Sequence, residues 1–501
     1  MNRRTVTTRL GALCIGASAI DCQQAPPPFP QTVLVVDTDL PVPTLASHLR
    51  IDVFDTANTW ISSQDVPLRS AEDFPASFSV YVPDDQATRL ATVRLRLRPD
   101  DAERDYRGER YVPFPSEDAT PASVEQAEQG VDLRLLEQGI DRTPVLEPLP
   151  SLTVDRLVTL RIAEAGVRKV RVTLRGDCLG RMTNLAAKTT CIDAERTDVP
   201  LDEGDGPDDE RPTLVGTRLG DATREVTNIP PTARPVRGGA FILGSTILAT
   251  PSIGAQKAPS SPPRASILHG FAMDRTEVTV GRFRAALEAG FVPPVPVVEN
   301  KDPVATSSVD FRASCTFTPN PADASRDELP VTCVPFDTAR EFCIFSGGDL
   351  PTEAQWEYAA SSAGRPRKTM FPWGEAAPTC EGVVFGRFDD PANGDGHCYD
   401  QGFPFGARGV NDAALDETPD GIRGLAGNVY EWIRGAPLSY DSACYRRAGL
   451  EDPVCDVTTR DRAIRGAAFG APASALALTL RLKIPAGGST PLGGFRCVYA
   501  Q

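Results

Sequence analysis

Between residues 31 and 195 apolar and polar positions alternate with a period of two, the pattern of half-buried strands. Leu49, Ile51 and Val53 alternate with Arg50 and Asp52. Phe78, Val80 and Val82 alternate with Ser79 and Tyr81, and Val170, Val172 and Leu174 repeat the pattern. Thr32–Val36 is an apolar run. The clearest signal sets Val93, Leu95 and Leu97 against Arg94, Arg96 and Arg98. A row of arginines on one strand face is expected to be solvated. No catalytic constellation is visible in this half, and residues 99–150 yield no element.

Strands with one apolar and one polar face pack as two antiparallel layers. Residues 31–195 are therefore expected to form an all-β sandwich of immunoglobulin-like or transthyretin-like type. Residues 196–235 read as an acidic linker, because Asp202–Glu210 contains no apolar residue and like charges repel. A Pro/Ser-rich stretch, Ala258–Ala265, reads as a surface loop. Farther on, Thr352 with Gln355 forms a capping box that starts a helix. Trp356, four residues later, ties its first turn to the core. Glu353 and Glu357 share one helix face. They read either as an acid/base pair or as a structural polar network. Trp373-Gly374 and Gly427-Asn428 read as tight turns with glycine at positive φ, and Trp432 as a core aromatic.

Composition narrows the function classes. The 501 residues carry 52 Lys+Arg against 67 Asp+Glu, a formal charge of -15, which disfavours nucleic-acid binding. Three scattered histidines, His48, His269 and His397, do not make a His-rich metal site. The chain opens with Arg3, Arg4 and Arg9 before the apolar run Leu10–Ile20, a signal-peptide pattern over residues 1–22. Cys22 and the Pro-rich stretch 23–30 resemble a bacterial lipoprotein start. That resemblance implies lipidation at Cys22 and a tether, although Asp21 departs from the small residue expected before the cysteine. Beyond Cys22, ten cysteines fall into the short couples Cys178/Cys191, Cys315/Cys333, Cys380/Cys398 and Cys444/Cys455. Cys343 and Cys497 are left for each other. Without a CxxC pair zinc is disfavoured, and disulfides in an oxidising compartment are expected.

From Val236 onward specific motifs follow in order: Val236–Gly244, Phe271–Thr279, Leu350–Ala360, Phe371–Gly374, Gly421–Trp432, Arg465-Gly466 and Gly493–Cys497. This series resembles the formylglycine-generating enzyme family, also called the sulfatase-modifying factor domain, over residues 236–501. The resemblance implies an irregular α+β fold related to C-type lectins.

Active members of that family oxidise a substrate cysteine with molecular oxygen, using Cu(I) held by two cysteines; a soft ion suits two thiolates. The matching positions here are Ala471 and Leu476, which cannot ligate copper. Cys343 and Cys497 match a family disulfide, while a second one maps to Ala360 and Arg481. A family calcium site maps to the carbonyls of Gly427 and Val429 and the carboxylate of Glu431, with Gly424 at its first position. Calcium there and a Glu431 satisfied by backbone donors both stay open.

The expectation is an exported protein, a periplasmic or outer-membrane lipoprotein or a secreted one. Its family domain is expected to be a pseudoenzyme that binds a protein or glycan ligand or acts as an envelope scaffold. Contact with a membrane would come only through the lipid anchor. The alternative is an oxidoreductase of the same family working through other residues, as in pyoverdine maturation. A groove near Phe469–Arg481 with convergent polar groups would favour it.

Overall fold

The computed structural model describes residues 30–58, 60–81, 90–100, 102–105, 136–137, 140–141, 146–208, 211–245, 256–257, 262–300, 307, 315–320, 323–390 and 394–500. The export signal, Cys22 and the tether as far as residue 29 lie outside them. So do most of 99–150 and residues 258–261.

The first half builds two sheets over one core. Gln31–Thr38 lies between Val167–Leu174 and Ala76–Tyr81. The second sheet runs in the order Val154–Arg161, Leu90–Arg98, His48–Phe54, Trp60–Pro67, all antiparallel. Leu34, Val36, Val172 and Leu174 of the first meet Leu49, Ile51, Val93, Leu95 and Leu97 of the second. One pairing departs from the antiparallel expectation: Gln31–Thr38 runs parallel to Val167–Leu174. Period-two alternation fixes which side chains face inward but not the direction of the neighbouring strand.

The arginine ladder corrects the expectation of a solvated face. Arg94, Arg96 and Arg98 are 6%, 5% and 3% exposed. Arg94 reaches Asp155 at 2.7 Å, Arg96 reaches Asp52 at 2.7 Å and Glu147 at 2.5 Å, and Arg98 pairs with Asp65 at 3.2 Å and with Glu103. Burial pushes the Asp52 carboxyl up, but Arg96 and Arg50 outweigh it and hold the group below its ordinary value. The carboxylates come from neighbouring chain segments, so no single-strand pattern displays them.

The acidic stretch is likewise not a free tether. Asp202 and Asp205 pair with Arg156 at 3.1 and 3.2 Å, and Asp208 pairs with Arg171 at 3.1 Å. Backbone bonds Arg171 N–H to Gly206 O (2.9 Å) and Asp205 N–H to Arg171 O (2.7 Å) lay it along the strand Val167–Leu174. Arginines on the sheet cancel the repulsion that the isolated segment would feel. Pro262 and Pro263 are buried and Arg264–Leu268 is a strand, so the described end of the Pro/Ser-rich stretch is packed rather than looped out.

The second half is a mixed, sheet-rich structure with few helices. Among the described residues these are Val280–Glu288, Phe336–Phe345, Glu353–Ser361 and Ala443–Ala448. The largest sheet runs in the order Gln256–Lys257, Leu482–Pro485, Asp461–Arg465, Tyr430–Trp432, Gly493–Gly494. The Thr352/Gln355 capping box forms reciprocally at 3.1 and 2.9 Å, and Trp356 is buried. Gly374 has φ +119 in its turn. At 427–428 the positive φ falls on Asn428, not Gly427. Glycine is required at 427 by close approach, because a Cβ there would lie 2.5 Å from the Val384 carbonyl oxygen.

Disulfides join Cys178–Cys191, Cys315–Cys333, Cys343–Cys497, Cys380–Cys398 and Cys444–Cys455. That arrangement fits an exported protein. Among the described residues no helix is long and apolar enough to cross a membrane.

Candidate functional site

The strand Asp461–Arg465 delivers the chain to the copper-cysteine positions of the resemblance. Ala471 and Leu476 are both 1% exposed and belong to the main apolar core. The segment closed by Cys380–Cys398 lies directly on this stretch. Gly386 N–H donates to Ala471 O at 2.9 Å, Arg387 N–H to Phe469 O at 2.8 Å, and Asp395 N–H to Gly470 O at 2.9 Å. Phe388 stacks on Phe469 at 5.6 Å, and a Cβ on Gly470 would lie 1.9 Å from the Phe388 ring. A buried alanine and leucine offer no ligand, so these residues do not fit copper.

Beside this core runs a buried charged network. Glu353 accepts from Arg481 at 2.7 Å and from the Tyr440 hydroxyl at 2.7 Å. Glu357 accepts from Arg465 at 2.6 Å, from the Gly244 N–H at 2.7 Å and from Lys368. Arg465 also donates to the Tyr440 oxygen at 2.8 Å and to the carbonyls of Leu478 and Leu480. Burial raises the Glu357 carboxyl, but Lys368 and Arg465 bring it below its ordinary value. Burial pushes the Tyr440 hydroxyl well up. Both carboxylates are committed to fixed cations, which suits a structural network. Arg481 and Ala360, the places of the second family disulfide, are both buried here.

The calcium positions meet a different network. Arg496 contacts the Glu431 carboxylate at 2.6–2.9 Å, and Trp356 Nε1 donates to it at 2.8 Å. The Gly427 carbonyl accepts the Val429 N–H at 3.0 Å. The Gly424 carbonyl accepts from Arg496 at 3.1 Å. Calcium takes roughly six to eight oxygens. With Gly424 lacking a side chain and Glu431 already neutralised, Gly427, Val429 and Glu431 as placed do not fit a calcium ion. Side chains, not the expected backbone donors, satisfy Glu431.

Two further buried carboxyls flank Arg496. Asp416 accepts from the N–H groups of Ala426 and Gly427 at 3.0 Å, and burial raises it to about 6. Glu277 accepts from Asn428 at 2.9 Å, lies 3.9 Å from Arg496, and is raised by burial to about 8. Among the described residues no group of three or more His, Cys, Asp or Glu is placed to hold a metal.

Two cavities open elsewhere. One of ≈ 780 Å³ forms where the His269-Gly270 turn, Gly347–Asp349, the start of the helix Glu353–Ser361, Arg434 and Asp452 meet. The other, ≈ 610 Å³, lies where Pro41 and Thr44 face Arg237, Tyr358 and Arg365. Sequence reasoning missed both. The nearest local feature was His269-Gly270, a two-residue link between the strands Arg264–Leu268 and Phe271–Asp274, which pair with other strands and not with each other.

The profile of the sulfatase-modifying factor enzyme 1-like domain matches residues 221–501, starting within the stretch expected to be linker. The chain is 35% identical over 106 residues to the inactive C-alpha-formylglycine-generating enzyme 2 of Bos taurus, covering 21% of this chain and 32% of that protein. It is 31% identical over 121 residues to the formylglycine-generating enzyme of Mus musculus, covering 23% and 29%. The matched stretch thus spans about a third of the length of these relatives. Among solved structures, PvdO from Pseudomonas aeruginosa superposes with a TM-score of 0.38 at 18% identity, over 54% of this chain and 94% of that one.

Proposed function

Since the chain belongs to the sulfatase-modifying factor enzyme 1-like family over residues 221–501, we propose that it is an exported bacterial protein whose family domain has lost copper oxidation and serves in ligand binding or as an envelope scaffold. In this reading residues 1–22 direct export, Cys22 carries lipid, and residues 23–30 tether a sandwich of immunoglobulin-like or transthyretin-like type to the envelope. The family domain, C-type-lectin-like in character, begins within the stretch 196–235, and it holds no resident calcium.

The observation that carries the proposal is the burial of Ala471 and Leu476 in the main apolar core, with the segment closed by Cys380–Cys398 hydrogen-bonded to residues 469–471. Oxidation of a substrate cysteine requires a bound metal that both substrate and oxygen can reach. Here the two positions carry hydrocarbon and are covered. The polar groups nearby, Glu353, Glu357, Arg465 and Arg481, are engaged with one another and with Tyr440, Lys368 and backbone groups. The name of the bovine relative, an inactive enzyme, agrees with this reading.

The test is to incubate purified full-length protein with Cu(I), oxygen and a sulfatase-type cysteine peptide, and to look for an aldehyde by hydrazide capture and mass spectrometry. No aldehyde is expected. An aldehyde formed by the unaltered protein would overturn the proposal and restore the enzyme reading.

A further inference from the structure

We infer that the ≈ 780 Å³ cavity bordered by His269 and Asp452 is a binding site for a neutral, hydroxyl-rich ligand, a saccharide. The inference rests on the ligand-binding reading above and gives it a place and a ligand class. The cavity shares no lining residue with the core around Ala471 and Leu476.

Its polar groups are fixed before any ligand arrives. Asp452 holds His269 at two points, accepting from the backbone N–H at 3.0 Å and bonding Nδ1 at 2.6 Å. With Nδ1 bonded to the carboxylate, Nε2 is the ring nitrogen that no described residue takes up. Gln355 is anchored by its oxygen, which accepts the Thr352 N–H at 2.9 Å. Its amide donors have no partner among the described residues. Arg434 is braced between Asp349 at 3.0 Å and Asp456 at 3.2 Å. Groups held this way lose little freedom when they bind, which favours a ligand too small to bury a large apolar area.

The charge balance selects the ligand class. Arg434 faces Asp349, Arg224 faces Asp221 at 2.8 Å, and His269 faces Asp452. Each arginine has its counter-ion within the wall or beside it. The cavity therefore holds no unpaired arginine for a phosphate. It offers the ring nitrogen His269 Nε2 beside donors at Gln355. A sugar hydroxyl both donates and accepts, so it satisfies such a wall where an ion would leave half of it unmet. The volume lies in the range of small-molecule sites, roughly 300–1,000 Å³.

The test uses the full-length protein in calorimetry and saturation-transfer NMR with glucose, galactose, mannose, N-acetylglucosamine and lactose, and with inorganic phosphate. At least one neutral saccharide should bind and phosphate should not. His269→Ala and Gln355→Ala should each weaken the saccharide by about tenfold, the loss of roughly one directed hydrogen bond. Because Gln355 also caps its helix, His269→Ala, at a half-exposed position, is the variant whose melting temperature should stay unchanged. The assignment is overturned by binding of phosphate alone, by no saccharide binding, or by unchanged affinity in His269→Ala. Failure of the non-catalytic reading would appear separately, as an aldehyde in the copper assay.

Discussion

Arg481 meets Glu353 through two contacts of 2.7 Å at the position the family resemblance assigns to a cysteine. The guanidinium lies 4.2 Å over the Tyr440 ring and donates to the Leu438 carbonyl at 2.9 Å. Ala360, the place of the partner cysteine, is packed among Phe241, Trp356 and Leu478. The crosslink of the family is absent, and an ion pair holds the same part of the chain.

Truncating Arg481 removes the closer cation of the buried Glu353 and leaves only Arg465, 3.7 Å away. Arg481→Ala should lower the unfolding free energy by about 3–5 kcal/mol in a denaturant titration. Replacing both partners, Glu353→Met with Arg481→Met, should cost much less, because no uncompensated charge remains. Equal losses in the single and double variants would show that the pair does not act as a unit.

Glu277 sets a pH dependence with a definite sign. Burial raises its carboxyl from 4.5 to about 8. Between those values the folded chain holds a proton that the unfolded chain has released, so stability falls as pH rises from the ordinary carboxylate range toward 8. Glu277→Gln keeps the shape without the charge. Its melting temperature relative to the parent should therefore be higher at pH 9 than at pH 5. A gain of the same size at both values would mean that Glu277 does not titrate in this window.

Legibility in the sequence followed the range of the interactions. The Thr352/Gln355 cap, a contact three residues long, could be read directly, as could the strands around Ile51, Leu95 and Val172. Trp60–Pro67 and Val154–Arg161 escaped, since Ser62, Ser63, Gln64 and Asp65, or Asp155 and Arg156, interrupt the apolar alternation. The arginine ladder and the acidic stretch were misjudged for one reason. Each looked like a run of unpaired like charge, and its partners stood 30 to 60 or so positions away, as Asp155 does from Arg94 and Asp202 from Arg156. At the candidate site, the residue types at 471 and 476 were legible by resemblance, but their burial in the main core depends on tertiary packing. The His269 cavity depends on residues from six separate segments, which His269-Gly270 alone does not announce.

Calcium should leave the protein unchanged. With Arg496 on Glu431 and no side chain at Gly424, millimolar calcium or a chelator should shift the melting temperature by less than the replicate scatter. A rise with calcium that a chelator reverses would show that Arg496 can move aside and that Gly427, Val429 and Glu431 do gather around an ion.

Restoring the two thiols should not by itself restore copper binding. Ala471→Cys with Leu476→Cys places both sulfurs in the main core, and three backbone hydrogen bonds fasten the segment 380–398 to residues 469–471 next to them. The Phe388 ring closes the gap over Gly470, and Cys380–Cys398 pins both ends of the segment. Cu(I) carried by a competing chelator would have to displace that cover before two thiolates could reach it. The double variant should therefore fail to take copper from a chelator that yields it to an exposed dithiol. Adding Phe388→Ala should open the position, at a cost of about 3–5 kcal/mol in stability for the lost ring, and copper uptake should then appear. If the double variant alone competes for copper as well as the triple variant does, the segment 380–398 is not the barrier, and the loss of the two cysteines by itself accounts for the missing site.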